Sequence, residues 1–358
     1  MNVLVTGGGG FLGRRIVEML LEQHHAVRVV GRSRYPDLMA LGVDCVQGDL
    51  RDSSLALDVC QGMDLVFHVA AKAGVWGGRS EFYEINVKGT ANIIRGCLEA
   101  KVPNLVYTST PSVVIGPANI ENGDETLPYP KRYLSAYPAS KAKAERMVLD
   151  ANGWEMVPNA ATPIPDTPAA GATLVKRLQT CALRPHLIWG PRDPHLLPRI
   201  VATARAGRLA IVGGGANKVD VTYIDNAAHA HILAAEELQG EGRCAGKVYF
   251  IGDAEPVALW PWLNNLFKHL DMEPIRRKLP YGVVRSIGAF MEFAYRVLPL
   301  KGEPPMTRFA AMQLAQSHCF LHDRARRDFG YKPIVDPLTA LTRTVAWMRS
   351  ETPWMAFE

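Results

Sequence analysis

Apolar and polar positions along the chain follow two alternating rhythms. Residues 2–6 (NVLVT) are a short β-branched apolar run, the pattern of a buried strand. A helical rhythm follows, with Leu12, Ile16, Met19 and Leu20 spaced for one face. The cycle then repeats. Strands are predicted over 26–30 (AVRVV), 45–50 (CVQGDL), 64–71 (DLVFHVAA) and 104–110 (NLVYTST), separated by helical stretches such as 86–100. Such alternation predicts an α/β fold with a parallel sheet covered by helices on both faces. Residues 152–173 break the rhythm. They are rich in Pro, Ala and Thr and read as an inserted, exposed loop. From residue 191 a smaller C-terminal α/β lobe is predicted, with some segments returning to the first domain (1–190). Residues 246–257 read as a strand followed by a helix entry. Residues 283–300 are apolar on one side and interrupted by Arg285, Glu292 and Arg296. This predicts an amphipathic helix, either packed on the core or touching a membrane surface.

The junction between the first strand and helix reads Gly7-Gly8-Gly9-Gly10-Phe11-Leu12-Gly13. Gly7, Gly10 and Gly13 have the spacing of a dinucleotide-binding turn, with a strand before, a helix after and a second strand following. Gly7 permits the tight turn, Gly10 a close approach to a pyrophosphate, and Gly13 close helix–strand packing. The helix N-terminus offers free N–H groups to the phosphates. The predicted architecture is a Rossmann-type doubly wound parallel sheet with a smaller substrate lobe. At the end of the second strand stand Gly31, Arg32, Ser33 and Arg34. An acid there would bind the adenosine ribose 2′-OH. Its absence, with two guanidiniums nearby, favours NADP(H) over NAD(H).

Composition narrows the function classes. The 358 residues are 48% hydrophobic and 21% charged, with a formal net charge of +5, as in ordinary globular proteins. No basic block indicates nucleic-acid binding. The six cysteines are scattered without a CxxC pair, so neither a zinc site nor a disulfide framework is expected, and reduced thiols fit a cytoplasmic setting. His229 and His231 lie two apart in a helical stretch and face different ways, so no metal is expected there. The N-terminus lacks a basic region, and no uninterrupted apolar run of about 18 residues predicts a transmembrane helix.

Tyr137 and Lys141, in YPASK at 137–141, stand one helical turn apart. Ser135 would cap that helix and Pro138 would fall in its first turn. With TGGGGFLG (6–13), GDL (48–50), HVAA (68–71), NVKGT (86–90), YTSTPSV (107–113), LRPHLIWGP (183–191) and VTYIDNAAHAH (221–231), the chain resembles the extended short-chain dehydrogenases/reductases. The resemblance implies a catalytic Thr110, Tyr137 and Lys141, with Ser109 and Ser112 as neighbouring alternatives to the threonine. Lys141 would hold the nicotinamide ribose and lower the proton affinity of Tyr137, which would exchange a proton with the substrate oxygen. Thr110 would hydrogen-bond that oxygen. Cofactor contacts would come from Gly7, Gly10, Phe11, Leu12, Gly13, Arg32, Ser33, Arg34, Asp49, Leu50, Ala70, Ala71, Tyr137 and Lys141. Pro185 and His186 would approach the carboxamide through backbone atoms. Asn86 would orient a water or brace the sheet, and His68 reads as a satisfied strand-end histidine.

Within the family, AAKAGVWG (70–77), YTSTPSVV (107–114) and LKGEPPMTRF (300–309) resemble the bacterial reductases of long-chain olefin biosynthesis, which act on 2-alkyl-3-oxoalkanoates. The 3β-hydroxysteroid and sterol-4-carboxylate dehydrogenases are the next resemblance. Either implies a bulky hydrophobic small-molecule substrate, with Trp76 and Trp189 lining its pocket or packing in the core. A sugar-nucleotide epimerase or dehydratase would show an acid where Gly31 stands, and a dehydratase an Asp-Glu pair where Pro111-Ser112 follow Thr110. A non-enzymatic cofactor sensor would not need Thr110, Tyr137 and Lys141 together. A homodimer would suit the family, and 283–300 leaves contact with a membrane or a pathway enzyme open.

Overall fold

The structure is a computed structural model that describes residues 1–156, 177–194, 196–298, 300 and 302–350. Seven parallel strands form the main sheet: β1 (Asn2–Thr6), β2 (Ala26–Gly31), β3 (Asp44–Gln47), β4 (Leu65–His68), β5 (Asn104–Thr108), β6 (Gln179–Pro185) and β7 (Lys247–Ile251). Their spatial order is β3-β2-β1-β4-β5-β6-β7. The order reverses at β1, and a ligand crevice is expected where strand ends diverge.

Side chains of β1 alternate between two cores. Val3 and Val5 join one apolar cluster and Leu4 the other, as the two-residue period of a strand requires. On the first face lie α1 (Phe11–Glu22) and α5 (Ile224–Gln239). Arg15 of α1 pairs with Asp225 of α5 at 2.8 Å, fastening them together. On the second face lie α2 (Ser53–Cys60), α3 (Gly89–Ala100) and α4 (Ala136–Asp150). Thus α5 and β7, late in the sequence, join the main sheet and its first-face core.

The predicted strands over 64–71 and 104–110 stop at His68 and Thr108. Beyond those points the chain leaves the ladder and forms the crevice walls. The helix predicted from residue 86 begins earlier, with a π-helical turn at Tyr83–Lys88 leading into α3. The segment 183–191 divides into β6 and a two-residue strand, Ile188–Trp189, paired with Thr222–Tyr223.

The smaller lobe contains a four-stranded sheet ordered Val257–Ala258, Lys218–Val219, His318–Phe320, Ile120–Gly123. Its last strand comes from the first half of the chain and has no sequence counterpart in the predicted elements. The amphipathic helix is α6 (Tyr281–Val297). Of the predicted inserted loop, 157–173 lie outside the described residues. Its entry is held by Gly153 N–H donating to the Leu178 carbonyl at 2.8 Å. Among the described residues, no helix is long and apolar enough to cross a membrane, and no cluster of His, Cys, Asp and Glu is arranged for a metal ion.

Candidate active site

A cleft of about 550 Å³ runs along the C-terminal strand ends, from the glycine turn to the first turns of α4. Gly7 has φ +69°, a left-handed conformation that disfavours side chains. At Gly13 a Cβ would sit 2.3 Å from the Gly7 carbonyl oxygen, so only glycine lets α1 close on the turn. Gly10 precedes α1 in extended conformation with no side-chain cap, leaving the first-turn N–H groups for an anion. Gly7, Gly10, Phe11, Leu12, Gly13, Arg32, Asp49, Leu50, Ala70, Ala71 and Pro185 all line this cleft, as do Thr110, Tyr137 and Lys141. Its glycine-lined end and its length fit a dinucleotide.

Three predicted cofactor contacts are corrected. Ser33 does not line the cleft. Arg34 turns to Gln47, donating from Nε at 3.3 Å, so Arg32 is the guanidinium facing the site. His186 is buried behind the wall. Its N–H donates to Ile251, its carbonyl accepts from Thr222, and its ring meets the Asp220 carbonyl at 2.6 Å. Leu187 and Ile188 continue the wall instead. Tyr35, which no motif signals, also lines the cleft, with its ring packed over Gly9 and Gly31.

The floor is fixed by a chain of buried hydrogen bonds. Val69 and Ala70 N–H groups donate to Thr6 Oγ1 at 3.1 Å each, so the Thr6 hydroxyl donates to His68 Nδ1 at 2.8 Å. His68 Nε2 then donates to Thr90 Oγ1 at 2.9 Å, and Thr90 donates to the Asn86 carbonyl at 2.6 Å. This sequence needs a neutral imidazole with its proton on Nε2. Asn86, positioned by the π turn, bonds both backbone groups of Lys72 and donates to Ser140 Oγ at 2.9 Å. Asn86 is therefore a brace between the β4 loop and α4, and His68 is a satisfied strand-end histidine.

Burial and the nearby Lys141 ammonium push His68 down to about 3, and burial pushes His231 to about 4 and His318 to about 3. Each is neutral when folded and takes up a proton when unfolded below about pH 6.5. A folded pKa below the unfolded one destabilises the native state as pH falls through that window. At pH 5 each imidazole costs roughly 2 kcal/mol (about 1.5 pH units at 1.36 kcal/mol each). The urea midpoint should therefore drop clearly between pH 7 and pH 5; an unchanged midpoint would contradict the neutral assignments.

Thr110 follows β5, is buried, and accepts from Ser112 N–H at 3.3 Å. Ser112 does not line the cleft; it sits behind Thr110, whose hydroxyl donates to it at 3.2 Å. Ser109 does line it, with a buried hydroxyl that has no hydrogen-bond partner among the described residues. On α4, Ser135 caps the helix, accepting from Tyr137 N–H at 3.4 Å. Burial raises the Tyr137 phenol, and the Thr110 side chain, hydrogen-bonded to it, is what lowers it. The Lys141 ammonium is drawn to the Thr108 carbonyl at 2.6 Å and stands over the Tyr107 ring at 4.2 Å. Burial pushes Lys141 itself down to about 7, opposed by Glu145 one turn along.

Of the two expectations for Trp189, pocket wall or core, the structure shows the core. It is 2% exposed, packed edge-on against Tyr223 and Trp262 in the core. Trp76 lines a separate cavity of about 470 Å³, with Arg79, Ser135, Ala136 and Arg296. Its ring meets Tyr295 edge-on, and Arg296 stands over it at 5.4 Å.

Residues 4–281 match the 3-beta hydroxysteroid dehydrogenase/isomerase family. The chain belongs to this family. A 2-alkyl-3-oxoalkanoate reductase of Shewanella oneidensis is 46% identical over 335 residues, spanning 93% of this chain and 83% of that protein. One from Stenotrophomonas maltophilia is 42% identical over 348 residues, 97% of this chain and 99% of the relative. Among solved structures, gox2253 superposes with a TM-score of 0.74 at 25% identity, covering 97% of this chain and 98% of that one. Family membership makes the chain an extended short-chain dehydrogenase/reductase, an NAD(P)-dependent oxidoreductase acting on CH–OH groups. A nicotinamide dinucleotide, when bound, supplies or accepts the hydride. In this member of the 3-beta hydroxysteroid dehydrogenase/isomerase family, Thr110 and Tyr137 lie together at the far end of the cleft.

Proposed function

We propose that the enzyme reduces the ketone of a 2-alkyl-3-oxoalkanoate to the 3-hydroxy acid with NADPH. The observation that carries this reading is the pair of reductase relatives, each aligned over nearly the whole chain. Tyr137 gives its phenolic proton to the ketone oxygen, and Thr110 hydrogen-bonds that oxygen as charge builds. Lys141, which has no carboxylate partner among the described residues, holds the ribose hydroxyls alongside the Thr108 carbonyl. The Trp76 cavity adjoins the Tyr137 turn through Ser135 and Ala136. Val75, the Trp76 indole and Leu134 suit an alkyl chain, and Arg79 offers counter-charge to a carboxylate, while Arg296 stands 4.0 Å from Glu292 of the same lining.

Arg32 carries the preference for NADP(H). Its guanidinium faces the cleft without a carboxylate bonded to it among the described residues. Because the hydroxy acid is stable, the test runs the reaction in reverse. A long-chain 2-alkyl-3-hydroxy acid is offered with NADP+ or NAD+, and the absorbance of the reduced cofactor is followed. Faster oxidation with NADP+ is expected. Arg32→Ala should lower kcat/KM for NADP+ by roughly 10- to 100-fold, the equivalent of losing charge-assisted hydrogen bonds, and leave NAD+ nearly unchanged. No turnover with either cofactor, from protein that binds one of them, would reject the substrate; equal losses with both would reject the role of Arg32.

A further inference from the structure

Arg32 faces two cavities. It lines the cofactor cleft and also a neighbouring cavity of about 610 Å³, which shares Ala71, Lys72, Ala73 and Pro194 with the cleft. Another wall of the second cavity is the helix Leu196–Arg205, with Arg208 beyond its end. We infer that Arg208 grips the 2′-phosphate of NADP(H) together with Arg32, so that the phosphate ties the end of β2 to the segment after that helix. The inference rests on the NADP(H) reading above and adds to it a residue from the second half of the chain.

Both arginines spring from fixed backbone. The Arg32 carbonyl accepts from Gln47 Nε2 at 3.0 Å, and the same glutamine draws Arg34 away. A side chain at 31 has no room, because a Cβ on Gly31 would sit 2.3 Å from the Tyr35 hydroxyl. Tyr35 thus fills the place from which a residue at 31 would meet the adenosine ribose, and leaves Arg32 as the cation of that edge. Across the second cavity, Gly207 follows the helix with φ +66°, a conformation that favours glycine at a helix end. Arg208 N–H then donates to the Thr203 carbonyl at 3.1 Å, and the chain enters the strand Ile211–Val212, paired with Lys278–Leu279.

Charge decides what the cavity takes. Its lining holds the cations Arg32, Lys72, Arg199 and Arg208 and one acid, Glu303. Lys72 donates to Glu81 at 2.8 Å, and Arg199 donates to Glu303 at 3.1 Å. Arg32 and Arg208 have no carboxylate partner among the described residues. Two uncompensated guanidiniums on one cavity repel each other. A phosphate between them removes that repulsion and accepts forked hydrogen bonds from each. NAD(H) presents only a hydroxyl there and gains little. The cavity is roomy for one phosphate, so a separate phosphorylated molecule is the rival occupant.

Binding is tested without turnover. Calorimetry on the full chain measures the affinity for NADP+, NAD+, 2′,5′-ADP, 5′-AMP and inorganic phosphate. Arg208→Gln should weaken NADP+ and 2′,5′-ADP by roughly tenfold and leave NAD+ and 5′-AMP within about twofold. Arg208→Lys should recover part of the loss, because it restores the charge without the fork. Hydrogen exchange reads the bridge itself. Amides of the helix Leu196–Arg205 should be better protected under saturating NADP+ than under saturating NAD+, and Arg208→Gln should erase that difference. Unaltered circular dichroism in the variants separates lost binding from lost fold. A selective loss of NADP+ affinity in Arg32→Ala but not in Arg208→Gln would overturn the inference and leave the NADP(H) reading standing. Equal affinity of the unaltered protein for both cofactors, indifferent to either variant, would overturn both. Inorganic phosphate that binds the NADP+-saturated protein, and is lost in Arg208→Gln, would overturn the inference by assigning the cavity to a separate phosphorylated ligand.

Discussion

Tyr137→Phe should lower turnover by about 10²- to 10⁴-fold, the usual contribution of a positioned proton donor. Dinucleotide affinity should stay nearly constant, because the variant removes one oxygen and keeps the ring, whose centroid lies 6.4 Å from that of Phe82. Steady-state rates with a fluorescence titration of the reduced cofactor separate the two effects. A variant with ordinary turnover would remove Tyr137 from the chemistry. Parallel loss of affinity and rate would make it a binding residue. The direction of its pKa adds a pH signature. The phenol is raised by burial, so it keeps its proton through neutral pH, the state that the proposed acid role in the reducing direction requires. The Thr110 hydrogen bond works against that shift, so Thr110→Val should also slow the oxidation direction, where the phenol must lose its proton first.

The largest effect on stability is expected from Glu145 and Arg184. Both are buried, at 0% and 2% side-chain exposure, and form a two-pronged pair at 2.7 and 2.9 Å. The Tyr129 hydroxyl donates to the same carboxylate at 2.6 Å, and Phe250 lies beneath the guanidinium at 5.1 Å. The pair joins the catalytic helix α4 to β6. Glu145→Ala strands a buried cation and should cost roughly 3–5 kcal/mol in chemical unfolding. Glu145→Leu combined with Arg184→Met should restore much of it, because the damage comes from the unpaired charge. Glu145 also raises Lys141, so its loss should push the Lys141 ammonium lower still. A loss of under about 1 kcal/mol, typical of a surface pair, would contradict the buried geometry.

The parts of this molecule legible in sequence are those governed by local rules. Glycine spacing against a strand–helix junction defines the turn, and Tyr137 and Lys141 lie one turn apart on a capped helix. The parts that were not legible depend on where the chain ends its pairings. Thr6, His68 and Thr90 form one relay only after β1 and β4 lie side by side. Glu145 and Arg184 are 39 positions apart and look like surface charges until α4 covers β6. Trp189 could have faced a pocket or the core, and its partners Tyr223 and Trp262 come from later segments. The fate of His186 was hidden because both of its backbone groups are taken by strands that a periodicity reading does not connect.

The small sheet has a consequence for biosynthesis. Ile120–Gly123 pairs in parallel with His318–Phe320, a contact that spans most of the remaining chain. Pairing across such a separation is slow, because a large loop must close before any contact repays it. During synthesis the N-terminal strands and glycine turn can assemble early, while 120–123 waits as an unpaired edge for a segment the ribosome has yet to make. An open edge is a template for the wrong neighbour. Ribosome pausing, chaperone access and expression temperature should therefore govern the yield of this protein through that one strand more than through the nucleotide-binding half.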